Sequence, residues 1–203
     1  MNHKAHLSDY TGDRQPPESS DLNLIQQIAA TDEKALEALY YRYSQQIFNY
    51  LLRMTQDAPT AEDLLQEVFI GVWEGAARFE GRSSVKTWIF RIAHFQASAW
   101  LRSHFKRSET QSTEASESLA DQGEPSLENL VFQRWNFAHI QKAMCQLSSN
   151  QREVIELSFI SELSHNEIAL VLVCPVGTVK SRLHKALHQL NGILIAQGII
   201  NQE

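Results

Sequence analysis

Within eight residues of the C-terminal half, Thr178, Ser181, Arg182 and Lys185 set two hydroxyls and two cations where no carboxylate competes. That mixture suits phosphates and base edges: cations neutralise phosphate, while hydroxyls and a guanidinium read donors and acceptors in a groove. Bond-making chemistry has no comparable footing. No nucleophile stands paired with a base, and there is no glycine-rich phosphate loop and no Cys/His cluster, so neither catalysis nor a cofactor is expected. His184 and His188 are four apart, as two ligands on a helix would be, but no third ligand accompanies them and no metal is expected. Cys145 and Cys174 lie far apart without a CxxC, which argues against structural zinc or a disulfide framework and for reduced, half-buried packing residues.

Those four side chains can act together only if one helix presents them. From Pro175 onward Val176, Val179, Leu183, Leu187 and Leu190 recur at the helical period, which turns Thr178, Ser181, Arg182 and Lys185 to the opposite side. Upstream, Ser164 with Glu167 three residues on spells a capping box for a helix beginning near His165. Ile168, Ala169 and Leu172 face inward on that helix. The chain turns near Val173–Cys174, and Pro175 suits a first helical position because its missing N–H would have no partner there. Two helices and a tight corner make a helix-turn-helix, whose second helix enters the major groove. A solvated face on an ordinary bundle helix would carry the same pattern.

Charge is segregated along the chain. Gly81 to Arg107 holds Arg82, Lys86, Arg91, Arg102, Lys106 and Arg107 with no carboxylate, and Ile168 to Gln202 is again free of acids. Between them, Ser108 to Asn129 carries Glu109, Glu114, Glu117, Asp121, Glu124 and Glu128 with no Lys or Arg. Two cationic surfaces joined by an anionic tether suit contact with nucleic acid at two places; the alternative is a linker whose sign means nothing. The net charge of −6 is wrong for a strong independent grip on DNA, so a partner is expected to supply further cationic surface.

At 203 residues and 43% hydrophobic content the chain can hold two modest helical domains. No stretch of 18 or more apolar residues and no leader pattern occurs, so a soluble, cytoplasmic protein without membrane insertion is expected. The first 20 residues are polar and aperiodic and read as a disordered extension. Leu22, Ile25 and Ile28 then suggest a short helix. Thr31 is expected to cap a longer one with a stripe of Leu36, Leu39, Tyr40, Tyr43, Ile47, Tyr50, Leu51 and Met54. Thr60 is expected to cap a third helix running to about Ala77, and a fourth begins near Ser84 and continues to about His104. One or two helices are expected over Ser126–Gln146, and Ser148 caps Asn150–Phe159. The fold class is therefore all-α: two helical domains joined by a flexible acidic linker, the C-terminal one a helix-turn-helix. The boundaries fall at 1–20 for the extension, 21–104, 105–126 for the linker, and 127–203.

Four strings carry a resemblance: AEDLLQEVFIGVW (Ala61–Trp73), FEGRSSVKTWIFRIA (Phe79–Ala93), LSSNQREVIELSFISELSHNEIA (Leu147–Ala169) and CPVGTVKSRL (Cys174–Leu183). In this order the chain resembles an extracytoplasmic-function sigma factor, a small two-domain bacterial transcription initiation factor. The resemblance implies core RNA polymerase and promoter DNA as partners, an anti-sigma factor as regulator, and no small-molecule substrate. It implies that Asp63, Gln66, Glu67, Phe69 and Trp73 dock on the polymerase, although Phe69 and Trp73 also read as core. It assigns Phe79, Gly81, Ser83, Ser84, Lys86, Trp88, Arg91 and Phe95 to the −10 element, with Trp88 and Phe90 open to a core role. Many members carry Asn where this chain has Phe95, which points to stacking or an altered base preference. Thr178, Lys180, Ser181, Arg182, His184 and Lys185 match the contacts to the −35 element. The acidic linker matches a segment threading toward the polymerase cleft. Two rivals predict otherwise: a dimeric regulator would bind a symmetric duplex unaided, and a decoy helical protein would form no promoter complex.

Overall fold

A computed structural model describes residues 20–108, 140 and 142–199. Among these every regular element is helical: α1 Asp21–Ala29, α2 Glu33–Thr55, α3 Ala58–Gly75, α4 Val85–Ser108, α5 Ser149–Ile155, α6 His165–Val171 and α7 Val176–Ala196. The N-terminal extension and nearly all of the acidic linker lie outside the described residues.

Capping chemistry sets the starts of these helices. α2 opens on Asp32, whose carboxylate accepts from the Lys34 amide at 2.9 Å, whereas Thr31, the expected cap, occupies the left-handed region at φ 66°. α3 opens on Asp57 instead of Thr60, because the Asp57 carboxylate accepts from both the Thr60 amide (3.0 Å) and the Thr60 hydroxyl (2.6 Å). In both places a carboxylate, with more acceptor capacity than a neighbouring hydroxyl, takes the orphan donors. The Thr60 hydroxyl and then its amide hold the Asp57 carboxyl below its usual value. A depressed carboxylate stabilises the fold above its unfolded pKa and loses that contribution as pH falls through its folded pKa. Asp57→Ala is therefore expected to cost ~0.5–2 kcal/mol at neutral pH. In denaturant titrations at several pH values, the gap between wild type and variant closes on the acid side.

α1 to α4 enclose a common core in which Leu39, Ile47, Tyr50, Leu51, Val68, Val72, Ile89 and Phe90 are fully buried. Asp21 on α1 accepts from Arg42 and Tyr43 on α2, and burial followed by the Asp21 carboxylate pushes the Tyr43 phenol up. α3 and α4 approach closely: a Cβ on Gly75 would sit 2.9 Å from the Trp88 ring. Three residues expected in apolar stripes are exposed, namely Leu22, Tyr40 and Leu187; Leu24 and Ala186 fill the inward positions on α1 and α7. Cys145 is exposed and only Cys174 is half-buried.

In the second unit Gln151 accepts from the Ser148 amide and hydroxyl at the start of α5. α5 then widens into one π-helical turn, Glu156–Ile160, where a continuous α-helix to Phe159 was expected. The capping box at α6 forms as read: the Ser164 amide donates to Glu167 at 2.9 Å and the Glu167 amide to the Ser164 hydroxyl at 3.3 Å. The corner turns through Val173 at φ 50°, and Pro175 sits at the cap, one position before the first helical residue.

The two units share a core. Leu157, Leu163, Ile168, Ala169, Val171 and Val179 of the second join the cluster built by α1 to α4, while Met144, Leu147, Val154, Ile155, Leu183 and Ala186 form a smaller one. Polar contacts cross the same seam, with Glu153 and Glu156 reaching Tyr50, Arg53 and His94.

Candidate nucleic-acid interface

α7 is anchored on one side by buried Val179, Leu183 and Ala186. At about 100° per residue, the exposed arc opposite them centres on Ser181, His184 and Lys185. Lys180 lies toward one edge of that arc and Thr178 with Arg182, both partly buried, toward the other. The Ser181 hydroxyl donates to the Thr178 carbonyl at 3.1 Å, which leaves its lone pairs as acceptors on the open face. The first turn of α7 carries no acid, so cations and a positive helix end share one surface.

A second surface runs from the loop after α3 along α4. Gly81 bends the loop at φ 70°, and Ser84 caps α4 by accepting from the Thr87 amide at 3.1 Å. Arg82 pairs with Glu80 on the exposed tip, Lys86 is partly buried and Ser83 donates to the Ser84 carbonyl. The Phe79 and Trp88 rings meet at 4.9 Å between centroids, tilted, with both partly buried against the core. Phe90, by contrast, is fully buried and meets Tyr50 edge-on at 5.7 Å, so it belongs to the core. Phe95 is 49% exposed, with the Arg91 guanidinium 5.7 Å from its centroid and the His94 ring 5.9 Å away. Trp100 stacks on His104 at 4.7 Å further along.

The third surface is acidic and aromatic. Asp63, Gln66 and Glu67 project from α3 into solvent, and Ile70, one turn on, is 51% exposed beside them. Phe69 is buried and supports the Tyr40 ring at 4.8 Å, so it backs this face from beneath; Trp73 is partly buried. Tyr40, Tyr41 and Ile70 were missed in the sequence. The adjacent tyrosines were the available signal, because consecutive helical positions diverge by about 100° and both cannot point inward.

One polar link joins the second surface to the helix-turn-helix. Glu167 accepts from the Thr87 hydroxyl at 2.9 Å and the Ser84 hydroxyl at 3.2 Å. Burial alone would raise its carboxyl, but these bonds and those from Ser164 outweigh it and hold Glu167 below the usual value. Among the described residues no group of three or more His, Cys, Asp or Glu is placed to hold a metal ion, and no helix is long and apolar enough to cross a membrane.

The fold is all-helical among the described residues, with a helix-turn-helix and a second basic, aromatic surface, and comparison with known proteins gives its class. Residues 39–107 match the Sigma-70 region 2 family and residues 138–190 the Sigma-70 region 4 family. The chain is 33% identical to the RNA polymerase sigma factor YlaC of Bacillus subtilis, over 77% of this chain and 90% of that protein. It is 34% identical to the ECF RNA polymerase sigma factor SigX of the same organism, over 78% and 82%. Among solved structures it is similar to the sigma factor RpoE of Bartonella quintana, determined with the anti-sigma factor NepR. There the TM-score is 0.66 at 25% identity, over 79% of this chain and 97% of that one. The chain belongs to the ECF RNA polymerase sigma factors.

Proposed function

We propose that this protein binds core RNA polymerase, reads the −10 and −35 elements of its promoters and helps separate the DNA strands, directing transcription of a specific, stress-responsive set of genes. The observation that supports it most is the face of α7: cations and hydroxyls outward, no acid, and an apolar side locked into the core. Residues 21–104 act as the polymerase and −10 domain, 127–203 as the −35 domain, and 105–126 as the acidic tether. Asp63, Gln66 and Glu67, with Tyr40, Ile70 and Trp73 and with Phe69 beneath, form the polymerase-docking face, where aromatic anchors and acids suit a basic helical partner. Phe79, Gly81, Ser83, Ser84, Lys86, Trp88, Arg91 and Phe95 meet the −10 element. Thr178, Lys180, Ser181, Arg182, His184 and Lys185 meet the −35 element. The nucleotidyl transfer belongs to the polymerase, and this chain contributes recognition and opening in the cytoplasm. An anti-sigma factor controls it, a reading supported by the partner solved with the Bartonella relative.

The positions on α7 separate two kinds of contact. Lys180, at the edge of the arc, is expected to touch phosphate; Lys185, at its centre, to reach base edges. In footprints of the polymerase complex across a salt series, Lys180→Ala weakens all promoters alike and flattens the salt slope by about one. Lys185→Ala costs ~1–3 kcal/mol and relaxes discrimination at the −35 bases. Unchanged −35 protection and an unchanged salt slope in both variants would remove α7 from the promoter.

A further inference from the structure

His188 lies on the same exposed arc as the −35 readers, further along α7. At 100° per residue it points about 180° away from buried Val179 and about 160° away from buried Ala186, between the directions of His184 and Ser181. Both imidazoles are exposed, and among the described residues neither makes a hydrogen bond or ion pair. Their direction is nonetheless set, because Leu183 and Ala186 are buried at that level and the Gln151 amide donates to Gln189 at 2.9 Å one residue beyond.

Distance along the helix separates His188 from the base readers. From Ser181 to His188 the helix rises about 10.5 Å, while the major groove is about 12 Å wide. A helix seated in the groove at Ser181 therefore carries His188 to the level of the flanking phosphates, with His184 one turn before it. A neutral imidazole offers phosphate one N–H; the protonated ring offers two and a unit charge, and histidine changes charge between about pH 5 and 8.

The surroundings supply no competing anion. The other charged groups of α7 are Lys180, Arg182 and Lys185, and Ile168 to Gln202 holds no acid. Among the elements packed on α7, α5 brings Arg152, bonded to the Met144, Cys145 and Leu147 carbonyls, and Glu153, engaged with Tyr50 and His94. The π turn brings Glu156, paired with Arg53. α6 brings the partly buried His165 and Glu167, the latter engaged with Ser164, Ser84 and Thr87. Lys142 before α5 and Glu162 before α6 are exposed. The phosphate of bound DNA is then the anion that an imidazolium on this arc meets.

We propose that His184 and His188 form a proton-dependent phosphate clamp, through which the −35 domain grips promoter DNA more tightly as pH falls. The inference rests on the proposed reading of α7. Each ring takes a proton from solvent as the complex forms and returns it on release. At His188 the ligand is backbone phosphate, so the contact changes affinity without changing the preferred bases.

Footprints of the −35 region with core polymerase, in salt series near pH 6 and near pH 8, read the clamp as a slope. Each imidazolium–phosphate contact steepens the fall of log affinity with log salt by about 0.9. Near pH 6, wild type should therefore exceed His184→Gln/His188→Gln by about 1 to 2 in slope on the same polymerase, losing roughly 4- to 12-fold more affinity between about 50 and 200 mM salt. Near pH 8 the difference in slope should vanish, since glutamine there replaces a neutral ring. His188→Gln alone should remove about half of the acid increment, and His188→Arg, with a fixed charge, should make that half independent of pH. All these side chains are exposed, so circular dichroism should report an unchanged fold. A slope difference equal at both pH values, or absent at both while Lys180→Ala still flattens the slope, overturns the clamp and leaves the reading of α7 intact. If no α7 variant, Lys180→Ala included, alters the protection or its slope, the reading of α7 fails and the clamp fails with it.

Discussion

Phe90→Ala is expected to lower the unfolding free energy by ~3–5 kcal/mol, the usual cost of emptying a buried phenylalanine site. Phe90 is fully enclosed, and its ring meets Tyr50 edge-on at 5.7 Å. Truncation would remove contacts with α2 as well as the aromatic pair, and a tightly packed interior closes such a void only in part. Chemical denaturation read by far-ultraviolet circular dichroism should show the midpoint falling sharply. A loss below about 1 kcal/mol would mean that α4 does not pack as described.

Five residues along the same helix, Phe95→Ala should do the reverse. Its ring is 49% exposed, so the fold should lose no more than about 0.5 kcal/mol. On the proposed promoter reading, its effect is expected in strand opening. A base leaving the duplex forfeits stacking, and an exposed ring returns ~1–3 kcal/mol by stacking on it. The guanidinium of Arg91 and the ring of His94 flank Phe95 and restrict how it can turn, so the platform is partly set in advance. Open-complex formation, followed by permanganate reactivity of unpaired thymines, should fall about 5- to 150-fold with polymerase binding unchanged. Phe95→Asn offers a finer reading on a promoter library. If Phe95 stacks on a base, the preferred −10 bases shift; an unchanged preference would remove Phe95 from base contact.

The opposite fates of these two phenylalanines show where sequence reasoning succeeds. Periodicity and local spacing located the helix-turn-helix, because Ser164 and Glu167 cap one another within a single turn and Val179 and Leu183 share one face of α7. The same signals placed α4 and its acid-free cationic stretch. They could not separate Phe90 from Phe95, since α4 packs α2 and α3 on one side and α6 on another, and its apolar residues form no single stripe. Neither could they find Glu153 and Glu156. Three apart across the end of α5 and the start of its π turn, these resemble an ordinary solvated pair, and their partners Tyr50, Arg53 and His94 lie 59 to 103 residues earlier in the chain. Only a tertiary contact between the two units buries them. The exposed Tyr40 and Leu187 failed for a related reason: each lies at the margin of an apolar stripe, where the width of the neighbouring helix decides burial.

The proposed function treats the face of α7 and the exposed ring on α4 as parts of one promoter reader carried by polymerase. Transcription from a pool of bacterial promoters by purified core polymerase, with and without the protein, measures this directly. New transcripts starting at a fixed distance downstream of two separated sequence elements, absent without the protein and lost when those elements are scrambled, are the expected result. A core enzyme that neither retains the protein nor initiates at any new position in its presence would contradict the account.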